Sequence, residues 1–147
     1  MTPTTSPSAR QPSLVSVRII TDDVARLASF YELVTGTTVR WATPDFAELP
    51  TPVGTLAIGS TRTVALFGAG SARPADNRTA IIEFRVDDVD ALHARLREGL
   101  TGVGGTFVNE PTTMPWGNRS LLLRDPDHNL VNCFTPVTPE AIAKLGR

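Results

Sequence analysis

The chain has 147 residues, 41% of them hydrophobic and 20% charged, with a formal net charge of −1. That is an ordinary globular balance with enough apolar material for a core in one compact domain, or in two small modules sharing one core. It excludes the basic face expected of a nucleic-acid binder, and no apolar run is long enough to predict a membrane span. A single cysteine, Cys133, excludes an intrachain disulfide. With Val131 and Phe134 beside it, Cys133 reads as a buried strand residue.

Residues 1–12 are rich in Thr, Ser and Pro and lack an apolar segment. They read as a disordered tail of a cytoplasmic protein, not as a secretory signal. Leu14 to Thr21 is β-branched and predicts a strand. Asp22 and Asp23 follow, and either can cap a helix. Val24, Leu27, Tyr31 and Val34 form one helical stripe that Gly36 ends. Short strands are predicted at Thr38 to Ala42, Phe46 to Leu49, Thr55 to Ile58 and Thr63 to Phe67. Gly68 to Arg78 is a polar loop.

The pattern then restarts. Thr79 to Val86 predicts a strand, Asp87 and Asp88 cap a helix over Val89 to Gly99, and Val89, Leu92 and Leu96 form its apolar stripe. Gly102, Gly104 and Gly105 predict a flexible turn. Strands follow at Thr106 to Val108, Arg119 to Arg124 and Asn129 to Thr135. A short helix closes the chain, with Thr138 as N-cap and Pro139 at its first position. Ile20-Thr21-Asp22-Asp23-Val24 and Arg85-Val86-Asp87-Asp88-Val89 lie 65 residues apart at the same strand-to-helix junction. Two copies of one unit predict an α+β domain over 13–136: two tandem βαβββ modules, 13–70 and 79–136, forming a curled mixed sheet around a cavity, followed by the helix within 137–147.

Two stretches carry a family resemblance. Asp23 to Gly36 (DVARLASFYELVTG) has an aromatic pair and a helix-ending glycine. Pro115-Trp116-Gly117, Arg124-Asp125-Pro126-Asp127 and Asn129-Leu130-Val131 look like a closing hairpin of the W-G and D-P-x-G-N type. Over Leu14 to Pro136 the chain resembles the vicinal-oxygen-chelate superfamily of glyoxalase I, extradiol dioxygenases, fosfomycin-modifying enzymes and bleomycin-resistance proteins. His128 stands where that family usually has Gly, which predicts a different turn backbone. Asp125, Asp127 and Asn129 read as turn-forming residues that bond nearby backbone N–H groups.

The resemblance implies His and Glu metal ligands at about Ser16, Ile81 and Asn132 and near Phe67. Carbon side chains and neutral Ser and Asn make no competent set for a divalent ion. A slip of one residue substitutes Val17, Ile82 or Cys133 and restores nothing. His93 and His128 are expected on the surface. No metal and no cofactor is therefore expected.

Strand alternation puts Ser16, Arg18 and Ile20 on the cavity face of the first strand, and Ile81, Glu83 and Arg85 on that of its counterpart. Arg18 and Glu83 hold equivalent positions, which predicts an ion pair across the pseudo-dyad. Trp41, Phe46 and Trp116 are candidate stacking walls, and Arg119 and Asn132 candidate hydrogen-bonding groups. The expected function is binding of a small organic, aromatic molecule by a homodimer resembling the bleomycin-resistance branch, in the manner of antibiotic sequestration and without turnover. The alternative is a metal-independent isomerase or lyase with Glu83 as acid and base. Neither nucleic acid nor membrane is an expected partner.

Overall fold

The computed structural model describes residues 10–145. The expected disordered tail lies outside them for residues 1–9, as do the last two residues of the C-terminal segment.

The first module runs β1 (Ser16–Thr21), α1 (Val24–Thr35), β2 (Arg40–Thr43), β3 (Phe46–Pro50) and β4 (Thr55–Ser60), then a single helical turn, α2 (Thr61–Ala65). The second runs β5 (Ile81–Arg85), α3 (Val89–Gly99), a 3₁₀ turn (Thr101–Val103), β6 (Thr106–Phe107), β7 (Thr112–Thr113), β8 (Asn118–Arg124), β9 (Leu130–Pro136) and α4 (Pro139–Leu145). Sheet order is β1-β4-β3-β2 in one module and β5-β9-β8-β6 in the other, with β7 also on β8. Each module thus pairs its first strand in parallel with its last. The 65-residue repeat is a repeat of topology.

The caps explain why both helices begin where they do. Asp23 Oδ1 accepts from the Arg26 N–H at 3.0 Å, and Asp88 Oδ1 from the Ala91 N–H at 3.1 Å. Each carboxylate satisfies an N–H that the first helical turn leaves unpaired. Gly36 ends α1 in the left-handed region at φ 69°. Thr138 caps α4 as expected, its Oγ1 accepting from the Ala141 N–H at 3.2 Å.

Four expectations need correction. The segment Thr63 to Phe67 is not a strand. β4 extends to Ser60, whose hydroxyl accepts from the Arg62 N–H and starts α2 instead. The glycines after α3 form an ordered end, with Gly104 at φ 79° and the Gly105 N–H bonded to the Leu100 carbonyl. His128 adopts the left-handed backbone that glycine favours, at φ 67°, although a side chain is expected to disfavour it. Finally, two sheets form rather than one, because β1 and β5 are both edge strands with no ladder between them.

One core serves both modules. Val24, Leu27, Phe30, Tyr31 and Val34 of α1 pack with Leu49 and Ile58 of the first sheet and with Leu96, Leu121, Leu123, Val131 and Cys133 of the second module. Burial of large side chains of this kind is worth about 1.5–3 kcal/mol each. It holds the modules together without a shared ladder.

Candidate ligand site

The ladders assign the faces. In the first sheet, Ile19, Ile58, Ala47 and Trp41 lie in register, and so do Arg18, Ala57, Glu48 and Arg40. Residues opposite one another share a face. Ile58 and Ala47 are fully buried in the core beside α1, so theirs is the helix-covered face. Arg18 belongs to the open face, with Ser16 two residues before it and Phe46 on β3. In the second sheet the open face carries Ile81, Glu83, Leu130, Asn132, Leu122 and Ser120, while Val131, Cys133, Leu121 and Leu123 face the helices.

A groove of about 380 Å³ separates the edges of β1 and β5. Val15, Val17, Val53, Leu56, Ile81 and Phe84 give it apolar walls, and Ser16, Thr55 and Glu83 supply polar groups. Val53 sits at the β3–β4 turn and is 93% exposed. In the sequence that turn carries no signal beyond an apolar residue amid Thr, Pro and Gly.

The candidate residues do not form one cluster. Glu83 and Asn132 face each other on adjacent strands, and Asn132 Nδ2 donates to Glu83 Oε2 at 2.9 Å. Asn132 Oδ1 and Ser120 Oγ, on the same face, are buried without hydrogen-bond partners. Arg18 and Phe46 come together elsewhere. The Arg18 Cζ lies 5.4 Å from the ring centroids of both Phe46 and Phe67.

The expected Arg18–Glu83 ion pair is not formed. The ion pairs among the described residues are Arg62–Asp45, Arg73–Asp76 and Arg119–Asp90. Equivalent positions in a repeat fix a residue's place in its own module, not its distance across an open seam.

Three candidates lie apart. Trp41 is on the helix-covered side of the outer strand, 48% exposed. Arg119 also turns to the helices, where its Nε and Nη2 grip Asp90 of α3 at 2.8 and 3.1 Å. That contact lowers the Asp90 carboxyl and raises the guanidinium. Trp116 is 65% exposed and lines neither the groove nor the Arg18 cluster. Its neighbour Gly117 has a structural task. It holds φ 94°, and a Cβ there would stand 2.1 Å from Thr138 Oγ1, against the cap of α4.

The closing hairpin is a turn built around Asp125. Asp125 is 1% exposed, and its Oδ1 accepts from the N–H groups of Asp127 and Asn129, each at 2.9 Å. Its Oδ2 accepts from Asn129 Nδ2 at 2.9 Å and from the Tyr31 hydroxyl at 2.7 Å. Asp127 makes no such bond, and its Oδ2 is buried without a partner. Burial, and then the charge of Asp125, push the Tyr31 phenol well above its usual value.

The residues at the implied metal positions do not fit an ion. Ser16 and Ile81 line the groove, but Ile81 offers only carbon. Asn132 pairs in register with Glu83 rather than with Ile81, and Phe67 packs on Arg18. Among the described residues no group of three or more His, Cys, Asp or Glu could hold a metal. His93 stacks edge-on against Phe107 at 5.0 Å, and His128 is exposed in its turn.

Two modules of one topology, packed through α1 with an open seam between their first strands, define a paired-module α+β architecture. Residues 13–133 match the family model of the Glyoxalase/Bleomycin resistance protein/Dioxygenase superfamily. The chain belongs to that superfamily. Solved structures with the same fold include a glyoxalase/bleomycin resistance protein/dioxygenase family enzyme from Burkholderia phytofirmans PsJN (20% identity, 86% of this chain and 100% of that one, TM-score 0.72). A protein of unknown function from Agrobacterium tumefaciens str. C58 is 19% identical over 87% and 97% of the two chains, with TM-score 0.71. A glyoxalase-related enzyme from Fulvimarina pelagi is 16% identical over 88% and 95%, with TM-score 0.70. A search of curated proteins gave no match. No helix among the described residues is long and apolar enough to cross a membrane.

Proposed function

We propose that the protein binds a small organic molecule in the groove between β1 and β5, without metal-dependent catalysis, in the manner of antibiotic sequestration. The observation that carries this reading is the groove itself: about 380 Å³, walled by Val15, Val17, Leu56, Ile81 and Phe84, with the Glu83 carboxylate at its side. Sites of that size, mostly apolar with a few polar anchors, suit small organic ligands. A homodimer belongs to the same proposal. Leu14, Val15, Val17 and Ile81 are each more than half exposed along the two free strand edges, and a second copy would cover them.

A thermal-shift panel of aromatic antibiotics, with and without divalent metals, tests the reading. Ligand that binds only the folded chain raises its melting temperature. Stabilisation by an organic compound alone is expected. Stabilisation only when micromolar Ni²⁺, Zn²⁺ or Fe²⁺ is added would overturn the metal-independent part.

One observation favours a second reading, a metal-independent isomerase or lyase with Glu83 as acid and base. Arg18, its expected partner, packs on Phe46 and Phe67 instead, and among the described residues Glu83 accepts from the neutral Asn132 amide. Under this reading Glu83→Gln keeps ligand affinity and abolishes turnover. Under simple binding there is no turnover to lose.

A further inference from the structure

We propose that the closing helix α4 is a lid over the open face of the second sheet, latched by Arg85 and able to lift while the rest of the chain stays folded. The lid stands on its own geometry, whether or not the groove takes a molecule.

Two contacts fix where α4 lies. At its start, the Val137 N–H donates to the Gly117 carbonyl at 2.9 Å, and a Cβ on Gly117 would stand 3.0 Å from the Ala141 Cβ. Gly117 immediately precedes β8. At its end, Arg85 Nη1 donates to the Leu145 carbonyl at 2.8 Å. Arg85 lies on β5 two residues beyond Glu83, and so on the open face. β9 runs between β8 and β5. The seven residues of α4 span about 10 Å, which is also about two strand spacings. α4 therefore crosses β9 on the open face, over Phe134. Phe134 pairs in register with Arg85 on one side and Ser120 on the other.

The covered face is poorly matched to its cover. Asn118 Oδ1, Ser120 Oγ and Asn132 Oδ1 belong to this face, and each is buried without a hydrogen-bond partner. Ser120 is 3% exposed, whereas Leu122 two residues along β8 is only partly buried. Buried polar groups left unpaired cost free energy that contact with water would recover. The cover gains little in return. Ala141 is its one buried residue among those described, and Ile142 is 51% exposed. A helix this short has no stability of its own. Thr138 caps it and Gly117 holds its entry, which leaves Arg85 as the tie at its far end. That is where the last carbonyls of a helix lack partners.

Release of Arg85 lets α4 swing on Val137 and Thr138 while every ladder of both sheets stays paired. Lifting uncovers Asn118 and Ser120 beside the Asn132–Glu83 pair, and Glu83 lines the groove. The lid thus controls how far the polar end of the groove opens onto the sheet.

The test uses the full chain with Ser120→Cys, an exchange of oxygen for sulfur at the covered position. A thiol reagent labels that side chain when α4 lifts, and the parent, whose one thiol is the buried Cys133, gives the background. Global unfolding is timed separately by a denaturant jump. Labelling is expected at least about 10-fold faster than global unfolding, as for a local opening. Adding Arg85→Ala should speed labelling a further 2- to 10-fold or about that, the worth of one hydrogen bond, and leave the unfolding rate unchanged. Native-state hydrogen exchange reads the parent directly. The Ile142 N–H, bonded to the Thr138 carbonyl at 2.9 Å, should exchange well before the Leu92 N–H of α3, bonded to the Asp88 carbonyl at 3.0 Å.

Labelling at the rate of global unfolding overturns the lid even where Ile142 exchanges early, since fraying of α4 would then leave Ser120 covered. Labelling that Arg85→Ala leaves unchanged, or speeds only as much as it speeds unfolding, overturns it too. Should Ser120→Cys fail to fold, the exchange of Ile142 and its response to Arg85→Ala decide in the same way.

Discussion

At the level of the single residue, His128 is a side chain held in the left-handed backbone that glycine favours. A left-handed conformation costs an ordinary residue about 1–2 kcal/mol, and His tolerates it better than most. His128 is exposed at φ 67°. Its backbone N–H donates to the Asp125 carbonyl at 2.9 Å and its carbonyl accepts from Arg124 Nη1 at 3.1 Å, while among the described residues its imidazole makes no hydrogen bond. His128→Gly removes the strain but loosens the unfolded chain, a cost of about 0.5–1 kcal/mol. The expected net change is a gain of roughly 0.5 kcal/mol in urea denaturation, the denaturant slope unchanged. A clear loss would mean that the imidazole makes a contact its exposure conceals. The sequence showed the substitution but not its outcome, because turn geometry is set by Asp125 and Asn129 rather than by the residue between them.

Between elements, the Tyr31–Asp125 bond is the main polar tie from α1 to the β8–β9 hairpin, across 94 residues of chain. The apolar stripe of α1 identified Tyr31 as core, and the turn pattern identified Asp125 as structural. That the two meet was not legible, since no local pattern encodes a contact of that separation. Tyr31→Phe keeps the ring and leaves one bond of a buried carboxylate unmade. Three N–H donors remain on Asp125, so the loss should lie near the low end of the usual penalty, about 1–2 kcal/mol. Asp125→Asn should cost more, because its amide cannot accept from all four donors. Equilibrium denaturation of both variants checks the order, and equal losses would show that the carboxylate's charge is irrelevant. The same reasoning marks what periodicity reads well. Most strands, α1, α3 and their Asp caps followed from local pattern, whereas Thr63 to Phe67 did not. Trp41 and Arg119 did not, because one register step decides which face a strand residue takes.

For the molecule as a whole, the open seam leaves stability to the common core. With no ladder between β1 and β5, the modules stay together through the common core, and that core holds two ionisable groups in their neutral forms. Burial raises the Cys133 thiol from 9.0 to about 12 and the Tyr31 phenol well above its ordinary range. Each keeps its proton in the fold at a pH where the unfolded chain has lost it. The stabilisation is therefore full below the unfolded value and is lost as pH rises toward the folded one. Stability should be level up to the ordinary thiol value of 9.0, then decline toward about 12. The thiol alone accounts for on the order of 1.4 kcal/mol for each pH unit in that window, as an upper limit. Tyr31 adds to the slope in its upper part. Denaturation midpoints measured across the window should fall for the parent and fall less steeply for Cys133→Ala, whatever that variant's stability at neutral pH. A parent and variant with identical slopes would mean that Cys133 opens to solvent before the chain unfolds. The modules would then separate at the seam first, and a thiol reagent added at neutral pH would label Cys133 far faster than global unfolding allows.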